Sequence, residues 1–237
     1  MNTLSLEKIP DHVAFIMDGN SRWAKAHNLD PIAGHRAGIK ALKNVTKRAV
    51  EVGIKYLTLY AFSTENWLRP KGWVNELMDL MRWYLNHEFK SFVKNKIRLQ
   101  VIGQRELLAQ DIQDLIQKVE NRTQHYNSIT IILAISYSGR AELTEAVKRI
   151  AYQVANQDLN PNNITSEIIE NNLYTKNIPD PDLLIRTSGE QRLSNYLLWQ
   201  LAYTEFIFTP TLWPDFNAKE FDACLQIFQQ RQRRFGK

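Results

Sequence analysis

Residues 12–25 read "HVAFIMDGNSRWAK". Val13 to Met17 is an unbroken apolar run, the pattern of a strand buried on both faces. It stops at Asp18-Gly19-Asn20, and Arg22 and Trp23 then open a helical pattern. Asp-Gly and Gly-Asn are turn dipeptides. A hairpin would need a second strand directly after the turn. A helix follows instead, so the unit is strand, turn, helix, and the fold it predicts is α/β with parallel strands.

The rest of the chain repeats that alternation. Strand-like runs fall at 13–17, 56–62, 97–102, 129–135, 183–185 and 205–208. Between most of them lie helical patterns. The stretch 34–53 puts Ile39, Leu42, Val45, Ala49 and Val52 on one face and ends at Gly53, a fitting C-cap. Residues 74–94 carry a wide apolar stripe, and 105–124 and 140–155 follow suit. The last helix starts with Asn217 and Glu220, spaced as a capping box. Residues 156–166, polar and Asn-rich, read as a surface loop rather than a linker. The expectation is one domain, 1–237, with a central, mostly parallel six-stranded sheet covered by helices.

Bulk properties narrow the function. The 237 residues carry a net charge of +5, which suits anionic partners. Cys224 is the single cysteine, so no intrachain disulfide can form and a reducing compartment is expected. The first twelve residues lack the apolar core of a signal peptide. No apolar run approaches the ~18 residues of a spanning helix. A cytoplasmic protein is expected, with room for peripheral contact with the inner membrane.

In parallel sheets, ligands sit outside the carboxyl ends of the strands. Polar groups gather there. Gly19 lets backbone approach a ligand closely, helix amides face an anion, and Arg22 adds charge. An aspartate beside an anion calls for a cation between them, and Mg²⁺ binds through one or two carboxylates plus substrate phosphates. Arg186, Arg192 and Ser194 follow another strand and form either a solvated loop or a diphosphate cradle. Glu205, at a strand terminus, is a second metal candidate or an ordinary strand end. His35 either binds phosphate or caps its helix. Aromatic residues near the rim, Trp23, Phe62, Trp67 and Trp73 among them, are core or part of a greasy site beside the polyanion site. No Walker A sequence is present, which argues against a nucleotide P-loop.

Taken together, these stretches resemble the cis-prenyltransferase family in its bacterial undecaprenyl diphosphate synthase form. "HVAFIMDGNSRWAK", "GHRAG", "LTLYAFSTENWLRP", "DLLIRTSGEQRLSN", "LLWQLAYTEFIFTPTLWPDF" and "RRFGK" stand in the family's order and spacing over nearly the whole chain. The DDxxD motif of the unrelated trans-type synthases is absent. The resemblance implies condensation of isopentenyl diphosphate onto farnesyl or another allylic diphosphate, with new double bonds cis. It also implies Mg²⁺, a homodimer, small isoprenoid diphosphates rather than nucleic acid as partners, and an apolar tunnel between sheet and helices. Undecaprenyl diphosphate, the precursor of the cell-wall lipid carrier, is the product expected.

Residue roles follow from the same resemblance. Asp18 and Asn66 are expected to be catalytic, and Asp18 and Glu205 to face the metal. Gly19, Asn20, Ser21, Arg22, Trp23 and His35 are assigned to the allylic diphosphate, with Ser63, Glu65, Trp67 and Arg69 from the loop over it. Arg186, Arg192 and Ser194, joined by Arg234 and Gly236 from a partner subunit's tail, are assigned to isopentenyl diphosphate. Side-chain bulk on residues 75–94 and 129–135, with Trp83 and Tyr84 as stops, is expected to set product length.

The chain departs from the family pattern at Pro31 (commonly Arg), Trp73 (commonly acidic), Ser136 and Ser138 ("SYSGR" for "NYGGR"), Ser188 (Gly) and Gln191 (His). These bear on allylic affinity, loop closure and product length. A shorter-chain synthase and a non-catalytic subunit of the same fold are the alternatives. The non-catalytic subunit should lack the Asp-Gly-Asn and Arg/Ser sets, which are present here. A Mg²⁺-dependent phosphatase would want a second aspartate where Asn20 stands.

Overall fold

The computed structural model describes residues 8–231. Its strands are β1 (His12–Ile16), β2 (Tyr56–Ser63), β3 (Ile97–Ile102), β4 (Ile129–Tyr137), β5 (Leu183–Arg186) and β6 (Glu205–Phe208). Its helices are α1 (Asn20–Ala26), α2 (Pro31–Val52), α3 (Lys71–Lys94), α4 (Gln110–Thr123), α5 (Gly139–Ala155), α6 (Ser166–Asn172) and α7 (Ala218–Gln229). The six strands form one sheet in the order β3-β4-β2-β1-β5-β6. Every pairing is parallel, so the sheet is wholly, not mostly, parallel.

Strand alternation sorts the core into two layers. Val13, Phe15, Leu57, Leu59, Leu133 and Ile185 point into the larger cluster, shared with α2, α3, α4 and α7. Ala14, Ile16, Ile132, Ala134 and Leu184 point into the smaller one, shared with Tyr196, Leu197 and Leu201. Both faces are covered, which is why the strands read as continuous apolar runs.

Local chemistry places the ends. Gly53 closes α2 at φ 92°, a left-handed C-cap that a side chain would strain. Pro31 occupies the first turn of α2, where its missing N–H costs nothing. Asn217 caps α7 by accepting from the Lys219 and Glu220 amides. Glu220 does not complete the expected box, because its carboxylate accepts from Thr211 Oγ1 at 3.0 Å. Close packing of α1 on α2 requires Gly34, since a Cβ there would lie 2.0 Å from the Asn20 carbonyl oxygen.

Two strands run longer than their apolar runs. Ser136 and Tyr137 belong to β4 and are fully buried. β2 carries a register shift between Tyr60 and Phe62. Such a bulge bends a strand and redirects its side chains, and here it leads into the short 3-10 helix Thr64–Leu68.

Candidate active site

One cavity of about 890 Å³ opens at the carboxyl ends of β1, β2 and β5. That is near the upper end of small-molecule sites, roughly 300–1,000 Å³. Its mouth is polar: Asp18, Asn20, Arg22, Glu65, Asn66, Arg186, Arg192 and Ser194 line it. Its depth is apolar, between α2, α3 and β4, with Ile39, Leu42, Leu77, Met81, Tyr84, Leu133 and Ile135.

Asp18 stands at the centre of the mouth. Gly19 follows at φ 107°, and its own Cβ would strike Leu212 at 2.8 Å. No other residue fits that turn without strain. The Asp18 backbone is clamped. Its N–H donates to Thr187 Oγ1 at 2.9 Å, and its carbonyl accepts from Thr187 Oγ1 at 2.7 Å and from the Trp213 N–H at 3.0 Å. Each carboxylate oxygen has its own arginine: Oδ2 accepts from Arg186 at 2.9 Å and Oδ1 from Arg22 at 3.3 Å. Burial pushes the Asp18 carboxyl up, but the Arg186 hydrogen bond and charge, the Arg22 charge and the Gly19 N–H outweigh it. The group is held below the usual carboxylate range and is ionised at neutral pH.

Arg186 ends β5 with a nearly buried side chain, 4% exposed. It donates to Ser194 Oγ at 2.8 Å and to the Arg192 carbonyl, while its Nε has no partner. Glu190, which the sequence reading passed over, bridges Arg22 and Arg192 with its two oxygens. Its place between Arg186 and Arg192 in "RTSGEQR" was the available signal. Asn195 was missed as well, and its amide donates to Glu65 Oε1 at 2.9 Å across the mouth.

On the opposite wall, Asn66 Oδ1 accepts the Ser63 N–H at 3.0 Å, so its amide N–H groups remain to be offered. His35 lies inside α2, not at its cap. Its Nε2 is buried with no partner, and burial pushes the ring down to about 4, so it is neutral. Asn20 Oδ1 is likewise buried and unpartnered. Orphaned polar atoms facing a cavity are atoms for which a ligand is the missing partner.

The structure therefore brings Asp18, Gly19, Asn20, Ser21, Arg22, His35, Ser63, Glu65, Asn66, Arg69, Arg186, Arg192 and Ser194 to one cavity. It leaves three expected residues outside. Trp23 stacks on His27 at 4.1 Å and donates to Asp215. Trp67 packs edge-on against Phe62 and donates to Ser136 Oγ at 2.9 Å, on the far side of that wall. Glu205 is paired in register with Leu183 at the amino end of the sheet, opposite to Asp18, and is held by Arg231 at 2.7 Å. Within one chain it does not reach the site. Arg234 and Gly236 lie outside the described residues. Of the expected stops, Tyr84 lines the cavity, whereas Trp83 is exposed and stacks on His87.

Among the described residues no group of three or more His, Cys, Asp or Glu side chains could hold a metal alone. Mg²⁺ keeps several waters and is commonly bound by one or two carboxylates together with substrate phosphates, and Asp18 is an ionised hard oxygen donor at the cationic mouth.

A mouth lined by Arg22, Arg69, Arg186 and Arg192 over a long apolar cavity suits a ligand with an anionic head and a hydrocarbon tail. The family described as putative undecaprenyl diphosphate synthase matches residues 16–236, and the chain belongs to it; it is a prenyl-transferring enzyme. An isoprenyl transferase of Staphylococcus saprophyticus is 48% identical, over 98% of this chain and 92% of its own. One of Brucella suis is 47% identical, over 96% and 89%. A lavandulyl diphosphate synthase from Lavandula x intermedia, solved in complex with dimethylallyl diphosphate, superposes with a TM-score of 0.93 at 39% identity, covering 97% of this chain and 99% of that one. A probable undecaprenyl diphosphate synthase of Campylobacter jejuni gives 0.81 at 34% identity, covering 98% and 100%.

Proposed function

We propose that the protein condenses isopentenyl diphosphate repeatedly onto farnesyl or another allylic diphosphate, with cis double bonds, and makes undecaprenyl diphosphate. The observation that carries this reading is one continuous cavity, cationic at the strand ends and apolar between α2, α3 and β4.

The allylic diphosphate sits on the first turn of α1 with Arg22, Asn20 and His35, and its tail runs past Ile39 and Leu77. Asn66 donates to it from the loop after β2. Isopentenyl diphosphate sits on Arg186, Arg192 and Ser194, each charge-assisted bond contributing about 1.5–3 kcal/mol. Asp18, together with substrate oxygens, would hold Mg²⁺, which would supply positive charge to the leaving group. The arginines stabilise the same charge as the allylic carbon–oxygen bond breaks. The isopentenyl double bond supplies the electron pair for the new carbon–carbon bond, and a proton is then lost. Asn66 has its acceptor engaged by Ser63, so it orients substrate rather than taking that proton.

The working unit in this reading is a homodimer. The open edge strand β6 carries half-buried Phe206 and Phe208, and Val147 and Tyr152 on α5 are 65% and 70% exposed. An edge strand that no described strand pairs on its outer side, with exposed apolar groups, favours a partner surface. Arg234 and Gly236 serve the partner's isopentenyl site. No helix among the described residues is long and apolar enough to cross a membrane.

Mass spectrometry of products from isopentenyl diphosphate, farnesyl diphosphate and Mg²⁺ tests the reading. A cis-polyprenyl series ending at the undecaprenyl length is expected. A shorter end point would correct the product alone, and no chain growth would overturn the activity.

A further inference from the structure

The Arg22 guanidinium is met from one short turn in an unusual way. Ser188 offers it two acceptors, Oγ at 2.5 Å and the carbonyl at 3.3 Å. Asp18 Oδ1 accepts at 3.3 Å from the same nitrogen, Nη2, as the Ser188 hydroxyl, and Glu190 pairs with the other, Nη1, at 3.3 Å. Ser188 reaches Arg22 from a left-handed backbone, φ 78°, followed by Gly189 at φ 76°. That conformation is unfavourable for a residue with a side chain. It is held in place from behind, because the Ser188 and Gly189 amides donate to the Thr211 and Thr209 carbonyls, each at 2.8 Å. Ser188 is 8% exposed. A buried hydroxyl is therefore kept on a strained backbone, aimed at one nitrogen of one arginine. Strain of this kind collects where surrounding structure imposes it for a local task.

We infer that Ser188 is a positioning residue: its hydroxyl fixes the Arg22 guanidinium over Asp18 so that an incoming diphosphate meets an ordered cation. This rests on reading the cavity mouth as a diphosphate site. Arg22 is otherwise a long side chain, 48% exposed, and ordering such a chain weakens binding when it has to happen on association. The Ser188 carbonyl alone would survive any substitution. Only the hydroxyl distinguishes serine from glycine or alanine here.

The test uses the whole protein, Mg²⁺ and inorganic diphosphate, followed by titration calorimetry and thermal melting. Ser188→Ala and Ser188→Gly should each weaken inorganic diphosphate by about two- to tenfold, the factor for one side chain left to be ordered. Their melting temperatures should differ all the same, with glycine about 2–4 °C above alanine, because only glycine relieves the backbone. In an Arg22→Ala background, adding Ser188→Ala should cost no further affinity, since the hydroxyl acts through Arg22. Unchanged affinity in both single variants overturns the inference, as does an equal loss when Arg22 is already gone. If the unsubstituted protein takes up no inorganic diphosphate, the diphosphate reading of the mouth falls, and this inference with it.

Discussion

At the scale of single residues, Asp18 separates chemistry from folding. Its main-chain groups are tied to Thr187 and Trp213, and these bonds do not involve the carboxylate. Asp18→Ala should still fold through those bonds, with a lowered urea midpoint because it leaves the nearly buried Arg186 guanidinium without its carboxylate. It should nearly abolish turnover, with the loss mainly in kcat, because charge develops there in the reaction. Steady-state kinetics with Mg²⁺ present checks this, and near-normal kcat would remove Asp18 from the mechanism. Asp18 was legible in the sequence because a carboxylate after an apolar strand, with glycine next, has few structural uses. Glu190 carried a weaker signal, its place between two arginines, because a glutamate in a polar loop has many structural uses.

His12 offers a separate, pH-dependent check. It is 2% exposed. Its Nδ1 donates to the Pro179 carbonyl at 2.6 Å, and its Nε2 accepts from Thr58 Oγ1 at 2.7 Å. Burial pushes the ring down to about 4, against the pull of Pro179 and Asp182. The ordinary value is 6.5, so between pH 6.5 and about 4 the unfolded chain binds the extra proton. Stability from this group is whole above pH 6.5 and falls as pH drops through that window, by about 1.4 kcal/mol per pH unit. Urea titrations at pH 7, 6 and 5 should show that slope. His12→Gln should be less stable at pH 7 but flatter with pH by the same amount. An equal slope in the variant would place the proton uptake elsewhere.

At the scale of elements, α3 shows where sequence patterning stops. Its stripe is wide enough that neighbours Trp83 and Tyr84 both suited a buried face. A shift of one position turns a helical side chain by about 100°. Trp83 accordingly lies on the outside, stacked on His87, and Tyr84 lies in the cavity wall. Tyr84→Ala, or Leu133→Ala across from it on β4, should shift products toward longer chains. Trp83→Ala should leave the distribution unchanged. Chromatography of dephosphorylated products reads both, and unchanged lengths in folded Tyr84 and Leu133 variants would mean that the chain does not run between α3 and β4. The same limit explains Trp23 and Trp67: aromatic residues next to a motif were legible as near the site, but not on which side of a wall they face.

At the scale of the whole molecule, strand order and parallel pairing carried most of the site. The register that aligns Asp18, Ser63 and Arg186 at one rim puts Glu205 at the other. The sequence already put Glu205 at the start of a strand spanning 205–208, and in a parallel sheet that start lies at the rim away from Asp18; the choice of a metal role over an ordinary strand end came from the family resemblance. Arg231, which leads into the tail, is paired with Glu205 along the open edge of the sheet. A two-fold partner on that edge would bring each chain's tail next to its neighbour. Dimers of Asp18→Ala and dimers of Arg234→Ala should each be nearly inactive. Unfolded together in equal amounts and refolded, about half of the dimers should be mixed. In a mixed dimer, one site joins the intact Asp18 of one chain to the intact Arg234 of the other, while the second site carries both lesions. Recovered activity should approach roughly a quarter of the unsubstituted level, given random pairing. If the tail serves its own chain, every site in every dimer keeps one lesion, and no activity returns even when mixed dimers are shown to have formed.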